Sequence, residues 1–140
     1  MPTSFKKTAR RQYRKIKFVA CPAFPREKII FNSKGFNHLF YQGSTKARTR
    51  AKLETSVRVK LLPRAIKLLR LMPLPQEESS YLLEKKRYQF WAFEGVVDNK
   101  RIKVIVRQIG NGNKHFWSVI PGWRKSRFGR KNAKGSLARQ

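Results

Sequence analysis

The run Arg101-Ile102-Lys103-Val104-Ile105-Val106-Arg107-Gln108-Ile109, closed by Gly110-Asn111-Gly112 and answered by Lys114-His115-Phe116-Trp117-Ser118-Val119-Ile120, constrains the fold more than any other stretch. Ile102, Val104 and Val106 alternate with Arg101, Lys103 and Arg107, and period-two alternation around a glycine-rich break is the pattern of a β-hairpin. Because side chains alternate faces along a strand, Arg101, Lys103, Arg107 and Gln108 are offered mainly to one surface. Lys114, His115 and Ser118 emerge beside the turn on the returning strand, so cations, an imidazole and a hydroxyl gather in one place. The plain reading is an antiparallel pair with a solvated basic face.

Strand-like composition extends upstream through Tyr81-Leu82-Leu83 and the aromatic run from Tyr88 to Val96, with Asp98-Asn99 as a tight turn into the hairpin. Before Pro73 and Pro75 the period is helical. Asn32 or Ser33 can cap a helix over 34–42 whose apolar face includes Phe36, Leu39 and Phe40. Val59, Leu62, Ile66 and Leu69 then form a buried stripe that Pro63 interrupts, so a second helical piece runs from Pro63 to Leu71 with Arg58, Arg64, Lys67 and Arg70 on its outer side. Gln76 to Ser80 reads as a polar link, and Phe18 to Cys21 as a brief strand or a plug of the core. Helices followed by a meander predict an α+β fold, with N-terminal helices packed on one face of a C-terminal antiparallel sheet.

Charge decides the class of partner. Thirty-four Lys and Arg against seven Asp and Glu give a net charge of +27, which self-repulsion makes costly unless a polyanion shares it. Residues 1–17 and 122–140 each carry seven basic and no acidic residues, the composition of flexible tails. The remaining 18–121 reads as a single domain that keeps twenty basic residues against seven acidic ones. Nucleic acid is therefore the expected partner. A membrane is not, since no segment approaches the roughly 20 apolar residues of a spanning helix and no signal-peptide core follows the first lysines; a soluble, cytoplasmic protein is expected. Cys21 alone permits neither an internal disulfide nor a cysteine zinc cage, and reads as a buried small hydrophobe. The acids include a single adjacent pair, Glu77-Glu78, so neither a catalytic metal nor another cofactor is expected.

The segments Ile30 to Leu39, Arg58 to Ile66, Ile102 to Val106 and Lys114 to Val119 resemble the phage-associated nuclease families grouped with barnase, EndoU, the tRNA-cleaving colicins and RelE. The resemblance covers about residues 28–121. It implies a metal-independent endoribonuclease of toxin-like or phage-associated type, with two helices on a sheet of about four antiparallel strands, and an antitoxin or immunity protein as an open question.

The residues themselves are compatible with that chemistry. RNA supplies its own nucleophile, the 2′-hydroxyl, so an enzyme needs a base, an acid and cations around the phosphorus. His38 and His115 exchange protons near neutrality, Arg58, Arg107 or Lys114 can bind phosphate, and Ser118 can orient an oxygen or a water. Lys103, Arg101 and Trp117 complete the candidate RNA contacts. His115 is the favoured base, because a cation at Lys114 would lower its pKa; His38 is then the acid or a helper. A non-catalytic RNA- or DNA-binding protein stays open, since the charge and Trp91, Trp117 and Trp123 suit backbone binding and stacking equally well. So does a structural protein that assembles on nucleic acid through its tails. Convergence of His38 and His115 in one basic cleft would favour the enzyme.

Overall fold

Asp98 and Asn99 both adopt positive φ (50° and 65°), the geometry of a tight hairpin turn, and the strands they join are the longest among the described residues. The computed structural model describes residues 3–42, 49–122 and 137–140. The elements are α1 (Thr3–Arg14), β1 (Phe18–Ala20), β2 (Lys28–Ile30), α2 (Ser33–Phe40), α3 (Lys52–Lys60), α4 (Leu62–Leu71), β3 (Glu77–Leu83), β4 (Lys86–Val97), β5 (Lys100–Ile109) and β6 (His115–Pro121). The fold is α+β, with one six-stranded sheet in the order β1-β2-β6-β5-β4-β3.

β3 to β6 form the expected antiparallel meander. The expected strand number is corrected from about four to six, and the sheet is mixed, because β2 joins β6 in parallel at Ile30 and His115. β1 and β2 are three residues each, too short for a readable period; what specifies them is the pairing of Val19 with Ile29 and the complete burial of Ile29. The polar link expected at Gln76 to Ser80 is largely strand: Glu77 to Leu83 pair residue by residue with Ala92 to Lys86. Its polarity reflects its place as the exposed sheet edge.

Local signals place the helices as expected. The Asn32 side chain accepts from the main-chain N–H groups of Lys34 and Gly35 at the start of α2, and Pro63 sits in the first turn of α4, where its missing N–H costs nothing. The first arm is a correction. Residues 3–14, expected to be mobile, form α1, in which Phe5, Ala9 and Tyr13 recur at a spacing of four and Ala9 and Tyr13 are buried. The Tyr13 hydroxyl donates to the Asn32 main-chain oxygen at 2.7 Å, and Lys6 and Arg10 lie over the rings of Phe40 and Phe36. An average over seven cations conceals three apolar residues on one face. The second tail is corrected in part: 123–136 lie outside the described residues, but Leu137 and Gln140 are buried.

The main core lies between helices and sheet, where Phe93, Ile102, Val104, Val106, Phe116 and Val119 meet the helices and Cys21 is buried as expected. Phe31 stacks on Phe116 with centroids 4.8 Å apart. Residues 103, 105 and 107 point to the opposite face, which is also buried: Phe90, Ala92, Ile105, Trp117 and Leu137 form a second, smaller cluster there. Among the described residues no helix is long and apolar enough to cross a membrane.

Gly35 brings α2 against β6 so closely that an added Cβ would lie 2.2 Å from the Phe116 main-chain oxygen and 2.8 Å from the Tyr13 hydroxyl. Gly35→Ala should therefore destabilise the fold by about 2 kcal/mol or more, despite alanine's better helix propensity. A chemical-denaturation midpoint equal to or above that of the native sequence would contradict this packing.

Candidate functional site

A β-bulge builds the site. Ile105 pairs with Ser118 and Val106 with Phe116, which leaves Trp117 as the extra residue on β6. The bulge lets Trp117 and Ser118, neighbours in sequence, both serve the face that carries Lys103, Ile105 and Arg107. Arg107 and His115 are directly opposed across β5 and β6, and the Arg107 Nε–H donates to His115 Nε2 at 2.9 Å.

The Trp117 indole is sandwiched. The His38 ring stacks on it with centroids 4.0 Å apart and planes 15° from parallel, while the Arg107 guanidinium carbon lies 3.6 Å from the ring centre. Those two distances place the groups on opposite faces of the indole, since one face cannot hold both. His115 meets Trp117 edge-on at 6.4 Å. His38 reaches the indole because α2 and α3 pack against β6 beyond its single pairing with β2.

A second layer comes from Arg50, Glu54 and Arg58, spaced four apart. Glu54 Oε1 accepts from Arg50 at 2.7 Å and from Arg58 at 3.1 Å. Arg50 also donates to the His38 main-chain oxygen (2.8 Å) and approaches His38 Nε2 at 3.0 Å. A guanidinium has no acceptor, so Nε2 is the acceptor and His38 is neutral in this arrangement, with its proton on Nδ1. Arg58 Nη1 donates to Ser118 Oγ and to the Gln140 main-chain oxygen, both at 2.7 Å; Lys103 Nζ contacts Gln140 Oε1 and Glu77.

Burial sets the electrostatics. It is the largest cause that takes His115 down to about 3, with the nearby cations Arg107 and Lys34 adding to it. Burial, reinforced by Arg50, lowers Arg58 to about 10, and burial lowers Arg107 to about 10. Arg50 is lowered as well, burial outweighing the opposing pull of Glu54. Arg58 and Arg107 remain cationic at neutral pH.

Of the residues singled out in the sequence, His38, His115, Ser118, Arg107, Arg58, Lys103 and Trp117 lie in this one cluster, all buried. The solvated basic face and the outward Arg58 are thus corrected: bulge, helices and residues 137–140 cover that surface. Lys114 is placed elsewhere. Its ammonium bonds both Glu27 oxygens (2.8 and 2.9 Å) and lies over Phe24 and Trp91, so the cations acting on His115 are Arg107 and Lys34. Arg101 is partly exposed near the far end of β5, 3.9 Å from Glu94. Sequence reasoning missed Arg50 and Glu54, although the steps of four from Arg50 to Glu54 and from Glu54 to Arg58 were a usable signal. It also missed Tyr81 and Tyr88, a cross-strand pair stacked at 5.2 Å on the same face as Arg107. For Gln140 no signal existed. Among the described residues no three His, Cys, Asp or Glu side chains are grouped to hold a metal ion.

No family model matches the sequence, and neither a curated protein nor a solved structure matches it. The cluster must therefore be read from its chemistry: cations around a hydroxyl and two imidazoles, with Glu54 and Glu77 as the acids bonded to them.

His115 is neutral when folded and takes a proton more readily when unfolded, so its contribution to stability is complete above pH 6.5 and declines as pH falls toward about 3. His115→Gln keeps an acceptor for Arg107 but cannot titrate. Denaturant unfolding of the native sequence should lose up to about 1.4 kcal/mol per pH unit in that window, and the variant should lose measurably less. Identical slopes would show that His115 is not the buried neutral group described.

Proposed function

We propose that this protein binds RNA and cleaves it without a metal ion, using the substrate's own 2′-hydroxyl as nucleophile. The observation that carries the reading is the convergence of His38 and His115 on one indole inside a cluster of cations. In this reading Arg58 and Lys103 hold phosphate oxygens, Ser118 donates to one of them, and Arg107 stabilises the charge that develops on phosphorus. His38 is the base once its Nε2 exchanges Arg50 for the 2′-hydroxyl, and the leaving 5′-oxygen takes its proton from water. His115 serves differently from the sequence expectation: with a pKa of about 3 it is too weak a base, and its contact with Arg107 orients that arginine instead. Tyr81 and Tyr88 offer a stacking surface for a base beside the phosphate.

The resemblance to the barnase, EndoU, colicin and RelE group points the same way, and with it go a toxin-like or phage-associated role, a cytoplasmic setting and an antitoxin or immunity protein as partner. A non-catalytic RNA-binding protein is the second reading. What favours it is that both imidazoles already face arginine donors, as scaffolding residues would.

Incubation with structured RNA in excess chelator decides between them: the ribonuclease should leave fragments ending in 2′,3′-cyclic phosphate. His38→Ala should lower single-turnover cleavage by about 100-fold or more while RNA affinity stays nearly unchanged, because a neutral group is lost from a chain of +27. RNA affinity should fall steeply as salt rises, since phosphate contacts release counterions. Salt-sensitive binding without cleavage would leave the binding protein standing.

A further inference from the structure

The groups assigned to the phosphate already hold oxygens of the chain itself. The Gln140 main-chain oxygen accepts from Arg58 Nη1 and from Ser118 Oγ, each at 2.7 Å, and its side-chain oxygen accepts from Lys103. Three donors thus converge on one residue, in the pattern they would offer to separate oxygens of a phosphate. We propose that residues 137–140 form a removable cover over a phosphate-binding site made by Arg58, Lys103 and Ser118, and that Gln140 stands in for the phosphate until substrate displaces it. The inference deepens the functional reading above and rests on its choice of phosphate ligands, though not on cleavage.

Two features show that Gln140 fills this site less well than a phosphate would. Arg58 Nε is buried without a hydrogen-bond partner, although Arg58 as a whole is only 5 % exposed. A carbonyl on Nη1 leaves that neighbouring donor idle, whereas the several oxygens of a phosphate suit a guanidinium's paired donors. The charge is also unbalanced. Arg50, Arg58, Lys103 and Arg107 meet two bonded side-chain carboxylates, Glu54 and Glu77. Glu54 and Glu77 weaken the attraction for phosphate without cancelling it.

The cover is lightly fastened. Leu137 packs against Phe90, Ala92, Ile105 and Trp117, and the Trp117 Nε1–H donates to the Ala138 oxygen at 3.0 Å, while Arg139 faces solvent. Displacing these four residues would uncover Arg58, Lys103 and Ser118 without breaking a strand or a helix, since none of them belongs to either.

The test uses the full chain and inorganic phosphate. Leu137→Ser loosens the apolar anchor and should strengthen phosphate binding about tenfold by calorimetry; Gln140→Glu adds a carboxylate at the site and should weaken it by a similar factor. Arg58→Ala placed in the Leu137→Ser background should abolish the gain, which separates this site from other basic surface. Phosphate should also speed hydrogen exchange of the Trp117 indole N–H, as its Ala138 acceptor leaves. Phosphate affinity unchanged in both Leu137→Ser and Gln140→Glu, or an indole N–H equally protected at saturating phosphate, would overturn the cover. Strengthened phosphate binding in Leu137→Ser with no cleavage of RNA would retain the cover and refute the ribonuclease; RNA cleavage with insensitive phosphate affinity would do the reverse.

Discussion

The second face of the sheet depends on the Trp117 indole and the cations and imidazoles it gathers. An indole carries negative charge density on both faces, so it can take a guanidinium on one side while its apolar area packs an imidazole on the other. Without it, Arg107 would lack the surface that compensates its removal from water, and His38 would lack the platform that ties α2 to the far side of β6. The bulge makes this possible, because a regular strand would send Trp117 and Ser118 to opposite faces.

Burying like charges is costly, and this protein does it with few acids to offset the cost. Glu54 is shared by Arg50 and Arg58, and Glu77 meets Lys103 from the sheet edge. The remaining compensation comes from other acceptors: two imidazole nitrogens, a serine hydroxyl and the oxygens of Gln140. Such an arrangement favours any anion that reaches it, because the anion gains from cations already desolvated and held in place.

The same economy separates the two histidines. They differ in what surrounds them. His115 is opposed by a cation on the neighbouring strand and is driven far from its ordinary protonation range, whereas His38 sits on a helix with Arg50, itself bonded to Glu54. In the proposed function the proton-exchanging role is therefore assigned to His38 and the positioning role to His115.

Much of the fold was legible because period and punctuation are local properties. Asn32 as a cap, Pro63 as a helix start, the Asp98-Asn99 turn and the alternation in 101–109 each act over a few residues, and each formed as read. Composition misled where an average hid a pattern, as in α1, whose Phe5, Ala9 and Tyr13 are outnumbered by cations but share one face. The sequence by itself determined the α+β class, the meander and the residue types available to the site. Only the tertiary structure decided that the basic face is buried, that Lys114 belongs to Glu27, and that Gln140 lies on Arg58, 82 positions away. Those outcomes are set by contacts between residues far apart in the chain and by a one-residue bulge in register, neither of which leaves a periodic trace in the amino-acid order.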